Sequence, residues 1–144
     1  MLSQPMICVD DVPAASQWFQ RVLGFTSGHG GAEYEQLMSD GALALQLHRW
    51  DAHEHPHLGD PSAARGNGAV LWFTSAQVEQ DYARALQAGA TVLETLHVNP
   101  LANHLEFWLR EPNGYVVVVA SAYGDLGSFA KAGTVHDAAQ RATP

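Results

Sequence analysis

The residues whose types and spacing best suit chemistry are His104 and Glu106, two apart, with Trp108 two further on. An imidazole exchanges protons near neutral pH, and a carboxylate beside it can fix its tautomer. Side chains at i, i+2 and i+4 of a strand share one face. The spacing therefore displays His104, Glu106 and Trp108 together and turns Leu105, Phe107 and Leu109 toward a core. Neighbours on such a face stand roughly 7 Å apart at the backbone, so spacing alone predicts no direct hydrogen bond between His104 and Glu106. The same alternation over Ala42 to His48 sends Leu43, Leu45 and Leu47 inward and displays Ala44, Gln46 and His48. Trp72 serves equally as a cleft wall or an interface anchor. Aromatic walls with a few fixed polar groups hold a planar small molecule by burial and stacking. Gln46, His48, Trp72, His104, Glu106 and Trp108 are accordingly the expected ligand-binding residues, with no catalytic role assigned.

Other candidates carry less. His53, His55 and His57 alternate as a metal-binding tract would, but only an extended segment aligns three imidazoles, and Pro56 interrupts it. Cys8 is the sole cysteine, which excludes an intrachain disulfide and a thiolate zinc cluster; it reads as a small buried hydrophobe. There is no Walker loop, nucleophile elbow or dinucleotide fingerprint. Fifteen acidic residues against seven basic ones give a formal charge of −8, and Lys131 is the only lysine. Without a basic stripe, nucleic acid and anionic membrane surfaces are poor partners. The longest apolar run, Val116 to Ala120, is too short to cross a bilayer. A cytoplasmic address is the resulting expectation.

These side chains need elements to position them. Met6 to Val9 reads as a strand, and Asp10 or Asp11 caps a helix with Pro13 in its first turn. Val12, Ala15, Phe19, Val22 and Leu23 recur at helical spacing until Gly24. Strands follow over Phe25 to His29, Glu33 to Met38 and Ala42 to His48, the last two flanking the turn residues Ser39-Asp40-Gly41. After a Pro- and Gly-broken stretch the order repeats. Ala69 to Phe73 is a strand, and Thr74 with Gln77 predicts a capping box before a helix that ends at Gly89. Strands then run over Thr91 to His97, His104 to Leu109 and Tyr115 to Ser121. The expected organisation is one α+β domain over 1–123, made of two βαβββ modules (4–50 and 68–123) joined by a crossover loop over 51–67. A tail over 124–144 follows, weakly helical at Val135 to Ala142. Neither half buries its sheet alone, so the two should share a core.

The segment from Val9-Asp10-Asp11-Val12 through Trp18-Phe19 to Val22-Leu23-Gly24-Phe25 resembles the opening of the vicinal oxygen chelate superfamily, which holds glyoxalases, bleomycin-resistance proteins, some epimerases and extradiol dioxygenases. Arg110-Glu111-Pro112-Asn113-Gly114-Tyr115 is similar to that family's turn before the last strand. The resemblance spans Gln4 to Tyr123 and implies a curved mixed-sheet cleft, commonly in a homodimer with walls from both subunits. In the family's metalloenzymes, ligands come from four strand positions that fall here at Gln4, Gln46, Gly68 and Val118. Amides are weak metal donors and the other two offer no side-chain donor.

The leading expectation is therefore a homodimeric, metal-independent protein of the bleomycin-resistance-like type, without a cofactor, sequestering an aromatic or heteroaromatic small molecule. The alternative is a divergent metal-dependent glyoxalase/lyase- or dioxygenase-like enzyme with ligands recruited elsewhere, from His48, His104 and Glu106 with Gln4. A third reading is an interaction module whose aromatic residues make a dimer interface.

Overall fold

The computed structural model describes residues 3–50 and 58–126. His53, His55 and His57, with the weak helix placed from Val135, lie outside the described residues.

The elements follow chain order as β1 (Met6–Val9), α1 (Val12–Leu23), β2 (Thr26–Ser27), β3 (Tyr34–Ser39), β4 (Ala42–Arg49), β5 (Val70–Thr74), α2 (Val78–Gln87), β6 (Thr91–Asn99), β7 (His104–Arg110) and β8 (Val116–Ala120). They form two four-stranded sheets ordered β1-β4-β3-β2 and β5-β8-β7-β6. In each, the first strand pairs parallel with the last and the remaining pairs are antiparallel. The βαβββ duplication is thus present as two open mixed sheets.

Local chemistry accounts for the boundaries. Asp11 caps α1 by accepting the Ala14 amide at 2.9 Å, Pro13 sits where its missing N–H costs nothing, and Gly24 closes the helix in the left-handed conformation at φ +74°. Asp40 and Gly41 both take positive φ between β3 and β4, which matches the twist of a two-residue hairpin. The capping box expected at Thr74 does not form. Thr74 is still the last residue of β5, paired with Ala120, so the helix starts one turn later, and Ser75 Oγ accepts the Gln77 amide instead.

The two modules share one core. Ile7, Val9, Phe19, Leu45 and Leu47 from the first pack in a single cluster with Ala85, Phe107, Leu109, Val117 and Val119 from the second. Polar ties reinforce the junction. Tyr115 donates its hydroxyl to the Cys8 carbonyl at 2.8 Å, and the Asp10 amide donates to Asn113 Oδ1 at 3.0 Å. Glu111, fully buried, accepts from the Asn113 amide and side chain, and burial pushes its carboxyl above the ordinary range. Glu35 is a second buried carboxylate and anchors the β2–β3 connection. It accepts from Ser16, Ser27 and the amides of His29, Gly30 and Gln36. Burial opposes its charge, but the hydrogen bonds led by Ser27 and Gly30 outweigh that and bring its pKa down to about 2. Among the described residues no helix is long and apolar enough to cross a membrane.

Candidate functional site

Strand register places the expected side chains. Leu45, Leu47, Phe107 and Leu109 are fully buried in the core, so Gln46, His48, Glu106 and Trp108 take the opposite faces. Across the second sheet Trp72, Val118, Trp108 and Glu94 stand in one row, and Ala120, Glu106 and His97 in the next. Trp72, 46% exposed on the edge strand β5, meets Trp108 edge-to-face at 6.2 Å and lies tilted against His104 at 5.9 Å.

Glu106 is the hub of this face. It is 3% exposed. Its Oε1 accepts from Trp108 Nε1 at 2.9 Å, while Oε2 takes His104 Nε2 at 2.7 Å and Asn99 Nδ2 at 3.1 Å. The His104–Glu106 bond, not anticipated from backbone spacing, forms because both side chains lean toward each other from the strand. Burial disfavours the charge on Glu106, but the bonds from Trp108, His104 and Asn99, with His97 nearby, hold its carboxyl below the ordinary range. It is therefore a carboxylate at neutral pH.

Beside it lies a cluster that the alternation rule hides. His97 Nε2 stands 3.5 Å from Glu106 Oε1 and 3.6 Å from Glu94 Oε2, and one donor atom from each of the three residues lies within 4.8 Å of the others. His97 Nδ1 is 2.8 Å from the Thr95 carbonyl. A carbonyl only accepts, so Nδ1 carries the proton and a neutral ring presents its Nε2 lone pair to two carboxylates. That arrangement is repulsive unless a positive charge sits there, either a proton on Nε2 or a metal cation. Tetrahedral coordination with about 2.0–2.2 Å bonds separates donors by roughly 3.3–3.6 Å, which matches the two His97 distances.

Glu94 and His97 were missed because a regular strand points residues three apart to opposite faces. Register shifts in β6 between Val92 and Glu94 and between Glu94 and His97 put both beside Glu106. Bulges re-aim side chains in this way, and the only sequence signal was the Glu-x-x-His spacing itself.

On the first sheet, the Tyr34 hydroxyl donates to Gln46 Oε1 at 2.6 Å, and Gln46 Nε2 donates to the Gln4 carbonyl at 3.0 Å. His48 is buried beside Tyr34, with Nδ1 2.7 Å from the Arg49 carbonyl. His48 and Tyr34 line a groove of about 460 Å³ with His29. A separate groove of about 770 Å³ at the module junction is lined by Trp72, Phe25, Phe73 and Arg84, but not by the Glu94–His97–Glu106 cluster. The structure thus brings Trp72, His104, Glu106 and Trp108 together and leaves Gln46 and His48 on the other sheet.

A family model for the glyoxalase/bleomycin resistance protein/dioxygenase superfamily matches residues 2–119. The chain belongs to that superfamily. Among solved structures, TioX from Micromonospora sp. ML1 matches with a TM-score of 0.69 at 16% identity, covering 84% of this chain and 98% of its own. A glyoxalase/bleomycin resistance protein/dioxygenase family enzyme from Burkholderia phytofirmans PsJN matches at 0.69 and 22% identity, covering 83% and 97%. A protein of unknown function from Agrobacterium tumefaciens str. C58 matches at 0.69 and 15%, covering 85% and 94%. At these identities the likeness is one of fold. No curated protein matches the chain's sequence.

The superfamily fold provides a small-molecule-binding cleft, but the family's four metal positions do not suit a cation here. Gln46 spends its amide on Tyr34 and Gln4, Gly68 has no side chain, and Val118 is fully buried. The expectation of a metal-independent binder rested on those four positions and is overturned by the Glu94–His97–Glu106 cluster, a donor set of one imidazole and two carboxylates placed elsewhere in the second module. Of the ligands the alternative would have recruited, only Glu106 belongs to it. His104 instead orients Glu106 through Nε2.

Proposed function

We propose that the protein is a divalent-metal-dependent enzyme of the glyoxalase/lyase or dioxygenase type, with the cation held by Glu94, His97 and Glu106. The observation that carries this reading is the His97 ring, whose Nδ1 is committed to the Thr95 carbonyl while Nε2 faces two carboxylate oxygens at 3.5 and 3.6 Å. A cation there would act as a Lewis acid on an oxygen of the ligand. Imidazole with carboxylates suits Mn²⁺, Fe²⁺ or Zn²⁺. Glu106 would be oriented by Trp108, His104 and Asn99, as outer hydrogen bonds orient metal ligands.

An aromatic or heteroaromatic small molecule would dock against Trp72 and Trp108, which share the face of the cluster. Gln46 and His48 would offer polar contacts from the first sheet. Homodimerisation is supported by exposed Met6 and Val70 on the edge strands β1 and β5. Calorimetric titration of chelator-stripped protein with Mn²⁺ and Zn²⁺ tests the reading. Stoichiometric binding, weakened at least tenfold in His97→Ala, is expected; equal affinity in both proteins would overturn it.

A further inference from the structure

His104 is 4% exposed, and its Nδ1 is a buried nitrogen without a hydrogen-bond partner among the described residues. Buried polar atoms are almost always paired in native proteins, so an orphan calls for an explanation such as a missing ligand. Nε2 is 2.7 Å from Glu106 Oε2, and an ionised carboxylate only accepts. The proton of a neutral ring therefore sits on Nε2, and Nδ1 carries a lone pair. The side chain set against this ring is Trp72, tilted at 5.9 Å and half exposed on an edge strand. Its indole, about half exposed, offers a flat apolar face to an incoming ligand.

We propose that His104 Nδ1 is a specificity-determining acceptor, taking a hydrogen bond from an O–H or N–H group on a planar ligand that stacks on Trp72. Because His104 reaches the hub carboxylate through its other nitrogen, this contact selects the ligand without ligating the cation. The inference rests on the proposed cleft-and-cation reading and adds what the ligand must carry. A ligand with the same ring and no donor leaves Nδ1 unpaired, and a site that demands a hydrogen bond discriminates more strongly than one that measures size.

The test compares 2-naphthol with 2-methoxynaphthalene on the full chain loaded with Mn²⁺ or Zn²⁺, read by quenching of tryptophan fluorescence. One neutral hydrogen bond predicts a preference for the naphthol of about tenfold. In His104→Phe a ring remains but the Nδ1 acceptor is gone, while Trp108 and Asn99 still donate to Glu106. The two probes should bind this variant alike. Should that variant not fold, ¹⁵N-histidine spectra of the diamagnetic Zn²⁺-loaded wild-type protein decide. The unprotonated Nδ1 resonance of His104 should move with 2-naphthol and stay with the ether. Equal wild-type affinities, failure of both probes to bind, a preference that survives in His104→Phe, or a protonated Nδ1 would each overturn the proposal. Wild-type protein that holds no cation would instead sink the metal reading, and the probe preference is measurable in its absence.

Discussion

Replacing Glu106 by glutamine keeps the shape of the side chain and removes its charge. The carboxylate now serves Trp108 through Oε1 at 2.9 Å, and His104 and Asn99 through Oε2 at 2.7 and 3.1 Å. An amide has one oxygen and one NH₂, so in either orientation the NH₂ confronts at least one of those donors. With its oxygen toward His104 and Asn99, the Trp108 N–H loses its acceptor; turned the other way, both His104 and Asn99 do. Orphaning a buried donor costs about 1–3 kcal/mol, and bonds that remain weaken from charge-assisted to neutral. The less damaging orientation therefore gives a loss of about 3 kcal/mol, or roughly 6–12 °C in Tm for a chain of this size. Urea and thermal unfolding in excess EDTA read this without the stabilisation a bound cation would add. A loss below about 1 kcal/mol would refute the view that these three donors converge on one carboxylate.

Glu35 sets the acid limb of stability. Its pKa is lowered from 4.5 to about 2 in the folded protein, so its contribution is complete above the unfolded value and fades as pH falls from about 4.5 toward 2, by about 3 kcal/mol in total. Urea midpoints of wild type and Glu35→Gln should converge as pH drops through that window. Gly24→Ala should destabilise by about 1–2 kcal/mol, because φ is +74°, where a Cβ is strained, while Arg84 Nη1, 2.7 Å from the new Cβ, ends a flexible side chain and moves aside; chemical denaturation measures it, and a neutral change would show that the turn relaxes.

Most of the fold was legible because its signals were local and agreed with one another. Asp11, Pro13 and Gly24 delimit α1, the Asp40-Gly41 turn fixes the β3–β4 hairpin, and period-two alternation in β4 and β7 separates Leu45, Leu47, Phe107 and Leu109 from the displayed residues. Alternation also placed His104, Glu106 and Trp108 on one face, whereas Trp72 stayed open between a cleft wall and an interface anchor until pairing through Val118 set it beside Trp108. It failed at β6 for a physical reason. Two register shifts there bring Glu94 and His97 to the same side, and a bulge depends on pairing with β7 that no single strand's sequence encodes. The metal question was therefore posed at Gln4, Gln46, Gly68 and Val118, while the donors stood across the second sheet. The His104–Glu106 bond was missed for a related reason, since backbone spacing bounds how far side chains start apart and not how far they reach.

An anomalous difference map from crystals grown with Mn²⁺ would show directly whether the cluster holds a cation. One strong peak coordinated by Glu94, His97 Nε2 and Glu106 Oε1 is expected, absent in crystals of His97→Ala. A map with no peak there, or with manganese bound at Gln4 and Gln46 instead, would contradict the proposed metal site.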